Sequence, residues 1–241
     1  MARTVVVTGG GTGMGRAITE RFVASGDHVV VVGRRQDVLD RIVAAHPDRV
    51  RAVRADLTDD DDVLHAVDAL DGGQVDVLVN NASGFPAVDG EGLPGRFARL
   101  RATLDANLLS AVLLTEALWP SLARPGGRVV SISSIAAQRG GGGAYAVAKA
   151  GLVGWGYDLA ARGGPEGITA NTVSPGYVQD TELFSPQGRS GRHDALVAQT
   201  LLGRAGVPDD VAGAVHWLAS PDAAWITGQV LAVNGGARLG P

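Results

Sequence analysis

The 241-residue sequence contains no cysteine, which excludes disulfide staples, thiolate catalysis and cysteine-ligated zinc. Lysine is almost as scarce. Of the 21 basic side chains, 20 are arginine, and the one lysine stands at position 149. The formal net charge is −4, so the chain offers no basic footprint for nucleic acid. No apolar run approaches the length of a membrane span. The N-terminus, MARTVVVTGG, has no signal-peptide layout, and a soluble cytoplasmic protein is expected. A chain of this length buries enough surface to fold without a disulfide or metal staple. Glycine, by contrast, is abundant, with 35 residues and no repeating period of the collagen kind.

Apolar β-branched runs alternate with segments of helical spacing along the whole chain. TVVVT (4–8), HVVVVG (28–33), RVRAVR (49–54), VDVLVN (75–80), GRVVSIS (127–133), GITANTVS (167–174) and QVLAVN (229–234) read as seven strands. Helical segments follow near 14–25, after DVLDRIVAA begins, and at about 144–162. Runs apolar at consecutive positions suit strands covered on both faces, and therefore a parallel sheet. Strand and helix alternating to the C-terminus predict an α/β fold: one doubly wound, Rossmann-type domain over residues 1–241. The acidic run DLTDDDD (56–62) reads as a solvated helix start, where negative charge is favoured.

The first turn, TGGGTGMG (8–15), follows the first strand and opens a helix. Gly9, Gly13 and Gly15 let backbone amides approach a pyrophosphate, and the helix N-terminus favours the anion. Its spacing departs from GxGxxG, with three residues between the first two glycines. In dinucleotide folds an acidic residue ending the second strand binds the ribose 2′-hydroxyl of NAD. Here that position is Gly33, followed by Arg34 and Arg35. A guanidinium holds a 2′-phosphate bidentately, where a carboxylate would repel it. The contrast favours NADP(H) over NAD(H) and points to Arg34 more than to Arg35, which could merely decorate the start of a helix.

Tyr145 and Lys149 stand at i and i+4 in the run YAVAK, so a helix stacks both on one face. A phenol with a pKa near 10 is a poor acid–base group at neutral pH. A cation held beside it stabilises the phenolate and brings it into a useful range. Arginine's flat fork does not fit such a place as a compact ammonium does. An arginine-rich chain that keeps its single lysine here therefore marks a site. SISS (131–134) and NNAS (80–83) end strands at the edge where α/β folds place ligand groups.

Taken together, the turn TGGGTGMG, then DLT, NNAS, Asn107, SISS, YAVAK, NTVSPGYVQDTE and the tail LLGRAGVPDDVAGAVHWLASPDAAWITGQVLAVNGG resemble the short-chain dehydrogenase/reductase family. The likeness covers nearly the whole chain. It implies that Gly9, Thr12, Gly13, Met14 and Gly15 hold the cofactor pyrophosphate region, with Arg34 and Arg35 near the adenosine ribose. Asp56 and Leu57 are implied to flank the adenine, and Asn80 and Ala82 to support the ribose and the central sheet. Pro175 and Gly176 would border the nicotinamide, with Thr181 bonding its carboxamide. Tyr145 would transfer the proton, Lys149 would lower its pKa and hold the ribose hydroxyls, Ser134 would orient the substrate oxygen, and Asn107 would anchor the water of a proton relay. A homotetramer or homodimer built partly from the long helices is also implied.

Some positions depart from the family pattern. Ser83 stands where glycine is usual, and Thr12 where many NADP-preferring relatives carry a basic residue. Ser134 and Tyr145 lie 11 positions apart, closer than in many relatives. Alternation lets only one of Ser133 and Ser134 face substrate; Ser134 is expected. The chemistry implied is hydride transfer between a nicotinamide and a small-molecule ketone or secondary alcohol, with 3-oxoacyl thioesters, cyclic or aromatic ketones and sugar-derived carbonyls as candidate substrates. An NAD-dependent alcohol dehydrogenase is the alternative, and a non-catalytic nucleotide sensor a more distant one. The variable walls are expected at 84–97 and 177–196, the second as a lid, with Phe85, Tyr177 and Phe184 candidates for an apolar lining. His193 reads as a solvated surface residue. Trp119, Trp155 and Trp217 read as core or subunit-interface anchors.

Overall fold

The computed structural model describes residues 2–181 and 192–240. Seven parallel strands form one sheet in the order β3-β2-β1-β4-β5-β6-β7. They are β1 (Thr4–Thr8), β2 (His28–Gly33), β3 (Val50–Arg54), β4 (Val77–Asn80), β5 (Arg128–Ile132), β6 (Thr169–Pro175) and β7 (Val230–Val233). The sheet and all seven strands match the sequence expectation to within two residues at each end.

The consecutive apolar runs explain the layering. Val5 and Val7 of β1, with Val29 and Val31 of β2, enter one core, which α1 (Gly13–Ala24), α2 (Gln36–Ala45) and α8 (Pro208–Leu218) cover. Val6, Val30 and Val32 enter the other, beneath α3 (Asp60–Asp68), α5 (Ser110–Leu118) and α6 (Gly143–Gly163). Alternation sends successive side chains to opposite faces, so a run such as VVVV feeds both cores. Burial of each valine contributes roughly 1.5–3 kcal/mol.

Helix α6 shows how spacing becomes packing. Lys149, Leu152, Gly156, Leu159 and Gly163 are buried at intervals of three and four. A Cβ on Gly156 would come within 2.8 Å of Thr172 Oγ1, so the missing side chain lets the helix lie close to β6. Between α4 (Gly92–Leu104) and α5 one turn is a π-helix, Asp105–Leu109. The acidic run starts α3 as expected: Asp59 caps it by accepting from the Asp62 amide at 3.1 Å. A short α7 (His193–Val197) follows the residues outside the description.

The chain runs outward from β1 to β3 and then crosses back to β4 on the other side of β1. Ligands in open α/β sheets sit at the carboxyl ends of the strands where this reversal opens a crevice. That edge holds Thr8–Gly9, Asn80–Ser83 and Ser131–Ser134. No helix among the described residues is long and apolar enough to cross a membrane.

Candidate active site

Two adjoining cavities open at this edge. The first, about 660 Å³, is lined by the glycine turn, Arg34, Arg35, Asp56, Leu57 and Ala82, with Thr12 and Met14 from the turn itself. The second, about 790 Å³, is lined by Ser134, Tyr145, Lys149, Pro175 and Gly176. Met14, Asn81, Ser83, Gly84 and Thr181 line both.

The glycine turn is shaped for close backbone approach. Gly9 has φ +65°, and a Cβ on Gly15 would lie 2.1 Å from the Gly9 carbonyl oxygen. No residue with a side chain fits at 15 without moving the turn. Asn81 braces the turn by donating its side-chain amide to the Thr8 carbonyl at 2.9 Å. Thr8 Oγ1 in return accepts the Asn81 and Ala82 amides, both at 2.9 Å. A turn so held presents amides beside a helix N-terminus, a donor set that suits a dinucleotide pyrophosphate.

At the far end of this cavity both arginines take part. Arg34 pairs with Asp56 at 3.6 Å. Arg35, which opens α2, reaches back to donate to Thr12 Oγ1 at 3.4 Å. The sequence favoured Arg34 over Arg35; the structure brings Arg35 across the glycine turn as well, because the chain at 35 is still extended before the helix begins. Burial pushes the Asp56 carboxyl up, but hydrogen bonds from Thr58 and the Arg34 guanidinium outweigh it and the net shift is downward.

In the second cavity Lys149 is 1 % exposed. Its Nζ donates to the Ile132 carbonyl at 2.9 Å and lies 5.6 Å from the centre of the Tyr145 ring. Burial lowers its pKa to about 7; no carboxylate compensates. Tyr145 is half-buried, and its ring stands 5.1 Å from that of Phe85. Of the two serines, Ser133 is buried and donates to the Lys149 carbonyl at 2.7 Å. Ser134 Oγ accepts the Ala136 amide at 3.1 Å, which leaves its hydroxyl proton for another partner. Both serines line the cavity, but the Ser133 hydroxyl proton is committed to the helix, as strand alternation leads one to expect.

Two of the expected site residues lie outside both linings. Asn80 is absent from the cavity lining; it is buried and donates its amide to Thr115 Oγ1 at 2.9 Å, lacing β4 to α5. Its neighbour Asn81 is the residue that faces the ligand groove, since side chains alternate along the strand end. Asn107 is also outside both linings and is 1 % exposed. Its amide donates to the Gly84 and Thr103 carbonyls, at 2.7 and 2.9 Å. Its carbonyl oxygen accepts from Ser83 Oγ and the Gly84 amide, at 2.6 and 3.1 Å. Four bonds saturate the side chain, so it acts as a bracket holding the 83–84 loop.

Phe85 and Tyr177 line the second cavity as expected, whereas Phe184 and half of the expected lid, 182–191, lie outside the described residues. His193 is exposed and hydrogen-bonds Tyr177 Oη at 2.8 Å. Trp119 is buried, Trp217 is largely exposed, and Trp225, which the sequence did not single out, is 99 % exposed. Arg139 and Arg192 line the second cavity too; no local pattern marked them.

A family profile described as enoyl-(acyl carrier protein) reductase matches residues 9–238. The chain is 34% identical over 246 residues to the 3-oxoacyl-(acyl-carrier-protein) reductase FabG of Escherichia coli (strain K12), covering 98% of both chains. Among solved structures, a blue fluorescent protein from a metagenomic library, in complex with NADPH, is 35% identical with a TM-score of 0.87 and 98% of both chains covered. An oxidoreductase of the short chain dehydrogenase/reductase family from Burkholderia thailandensis is 34% identical with a TM-score of 0.85, covering 98% of this chain and 93% of that one.

Proposed function

The chain belongs to the short-chain dehydrogenase/reductase family, and from that premise we propose that it is an NADPH-dependent reductase of ketones, of the 3-oxoacyl type. The observation that carries the reading is the adjacency of the two cavities: a glycine turn shaped for a dinucleotide shares a wall with the cavity that holds Tyr145 above buried Lys149. The NADPH in the metagenomic neighbour and the name of the Escherichia coli relative support the cofactor and the substrate type.

The residues present fit such a cofactor. Gly9, Gly13 and Gly15 would cradle its pyrophosphate, and Arg34 and Arg35 would meet a 2′-phosphate with the charge that NAD does not need. Asn81, Ala82, Pro175, Gly176 and Thr181 would hold the remainder. When bound, the nicotinamide supplies the hydride that the carbonyl carbon accepts. Ser134, with its free hydroxyl proton, donates a hydrogen bond to the ketone oxygen and fixes its direction. Tyr145 Oη delivers the proton to that oxygen. Lys149, in its ammonium form, stabilises the phenolate left behind. The reaction run in reverse makes Tyr145 the base.

The test is NADPH oxidation by the purified protein across a panel of ketones, with Tyr145→Phe as the control. Turnover is expected to fall at least a thousandfold in the variant while NADPH still binds. Residual activity above a few per cent of the parent would remove Tyr145 from proton transfer, and no oxidation with any ketone would remove the reductase reading.

A further inference from the structure

The charged lining of the second cavity has one sign. Among its described residues are Arg139, Lys149 and Arg192, and no aspartate or glutamate. Lys149 belongs to the proton-transfer pair; the two arginines have no role there. The chain as a whole carries more acidic than basic side chains, so two guanidiniums and no carboxylate among the described lining residues are not what composition alone would produce.

The two arginines approach from different segments. Arg139 follows the short turn Ile135–Gln138 after β5, and Arg192 precedes α7. Both are exposed at the cavity mouth. Arginines 3, 16, 21, 34, 41, 51, 124, 162 and 204 form ion pairs, whereas neither Arg139 nor Arg192 does so among the described residues. The partner Arg139 does have is neutral. Its Nη1 donates to Gln199 Oε1 at 2.9 Å, and Gln199 Nε2 donates in turn to the Ala195 carbonyl at 3.0 Å. An amide used in this way aims the guanidinium and leaves its charge uncancelled.

We propose that the ketone substrate carries its own carboxylate, held by Arg139 and Arg192 inside the cavity where Tyr145 meets the carbonyl. The proposal rests on the reductase reading and specifies its substrate. Arginine's planar fork matches a carboxylate bidentately and is charged at every physiological pH. Because both arginines line the cavity that holds Tyr145, an anion they bind belongs to a molecule that enters it. The phosphates of a carrier arm are the other anions that pass the mouth, and the experiment separates the two sources.

The experiment compares 5-oxohexanoate with its methyl ester, and acetoacetyl-CoA with the uncharged acetoacetyl-N-acetylcysteamine. In the parent protein the acid is expected to exceed the ester at least tenfold in kcat/KM, through KM. In Arg139→Gln/Arg192→Gln that ratio should collapse toward one, and Arg139→Lys/Arg192→Lys should restore part of it. Equal kcat/KM for acid and ester in the parent would overturn the proposal. So would a loss in the double variant that fell on the CoA thioester alone, since the charge would then belong to the carrier. Binding decides the matter even without turnover. Calorimetry with hexanoate and hexanamide on the parent and the double variant should show a carboxylate preference of at least tenfold that the variant loses; equal binding overturns the proposal. Absence of NADPH oxidation with every ketone defeats the reductase reading instead, and leaves this calorimetric result to stand or fall separately.

Discussion

Lys149 is a cation buried with no acid beside it, and its place costs stability. Burial brings its pKa from 10.5 to about 7. Below pH 7 the folded and unfolded chains both hold the proton, and the penalty is present in full. Between pH 7 and 10.5 the unfolded chain binds the proton and the folded chain does not, so stability rises with pH and the penalty fades. The gap is worth about 5 kcal/mol, less about 1 kcal/mol for the bond to Ile132. Lys149→Met is therefore expected to raise the denaturation midpoint at pH 6 by the equivalent of up to about 4 kcal/mol. The gain should shrink toward pH 10; denaturant titrations at several pH values would check it, and a variant no more stable at pH 6 than the parent would contradict it. The arginines act at the same scale. Removing Arg34 or Arg35 to alanine should weaken NADPH by about tenfold or more, each more than NADH, because only the phosphate is lost as a partner. Dissociation constants for the two cofactors give the answer, and equal weakening would make both side chains structural.

The π-turn Asp105–Leu109 inserts an extra residue into what would otherwise be one long helix from α4 to α5. Such turns cluster at functional sites. Here the turn carries Asn107, whose four bonds tie Ser83–Gly84 to the helix. Ser83, where family members more often have glycine, supplies one of those bonds and so completes the bracket. Asn107→Ala would leave two buried carbonyls and an amide unpaired, and is expected to cost about 2–4 kcal/mol. Hydrogen exchange at the Gly84 amide should accelerate along with the fall in stability; an unchanged rate there would mean the bracket does not hold the loop. The sequence singled out Asn107 but not the partners of its side chain. Apart from the Thr103 carbonyl one turn earlier, they lie 23 and 24 positions away and are mostly backbone groups, which no helical pattern reveals.

At the scale of the molecule, exposed apolar side chains gather on neighbouring helices: Leu93 and Phe97 on α4, Leu113 on α5, Val147 and Tyr157 on α6, with Leu109 in the π-turn between. Exposed apolar patches of this kind mark association surfaces. The expectation of a homodimer or homotetramer stands on them as a proposal. Light scattering after size exclusion should give a multiple of the 24.6 kDa chain mass, and Leu113→Glu should shift the population toward the monomer. A monomeric parent at micromolar concentration would rule the proposal out.

What the residues determined by themselves was periodic or local. Consecutive valines announced buried parallel strands, the glycine turn announced close backbone approach, and the tyrosine–lysine spacing placed both side chains on one helical face. These follow from alternation, φ freedom and helical pitch, which need no distant partner. Tertiary structure alone decided the rest. It turned Asn81 into the groove instead of Asn80, drew Arg35 over to Thr12, saturated Asn107, and brought Arg139 and Arg192 to one cavity. Each of these depends on which group, far along the chain, arrives within hydrogen-bonding or ion-pairing distance once the sheet has closed its two cores.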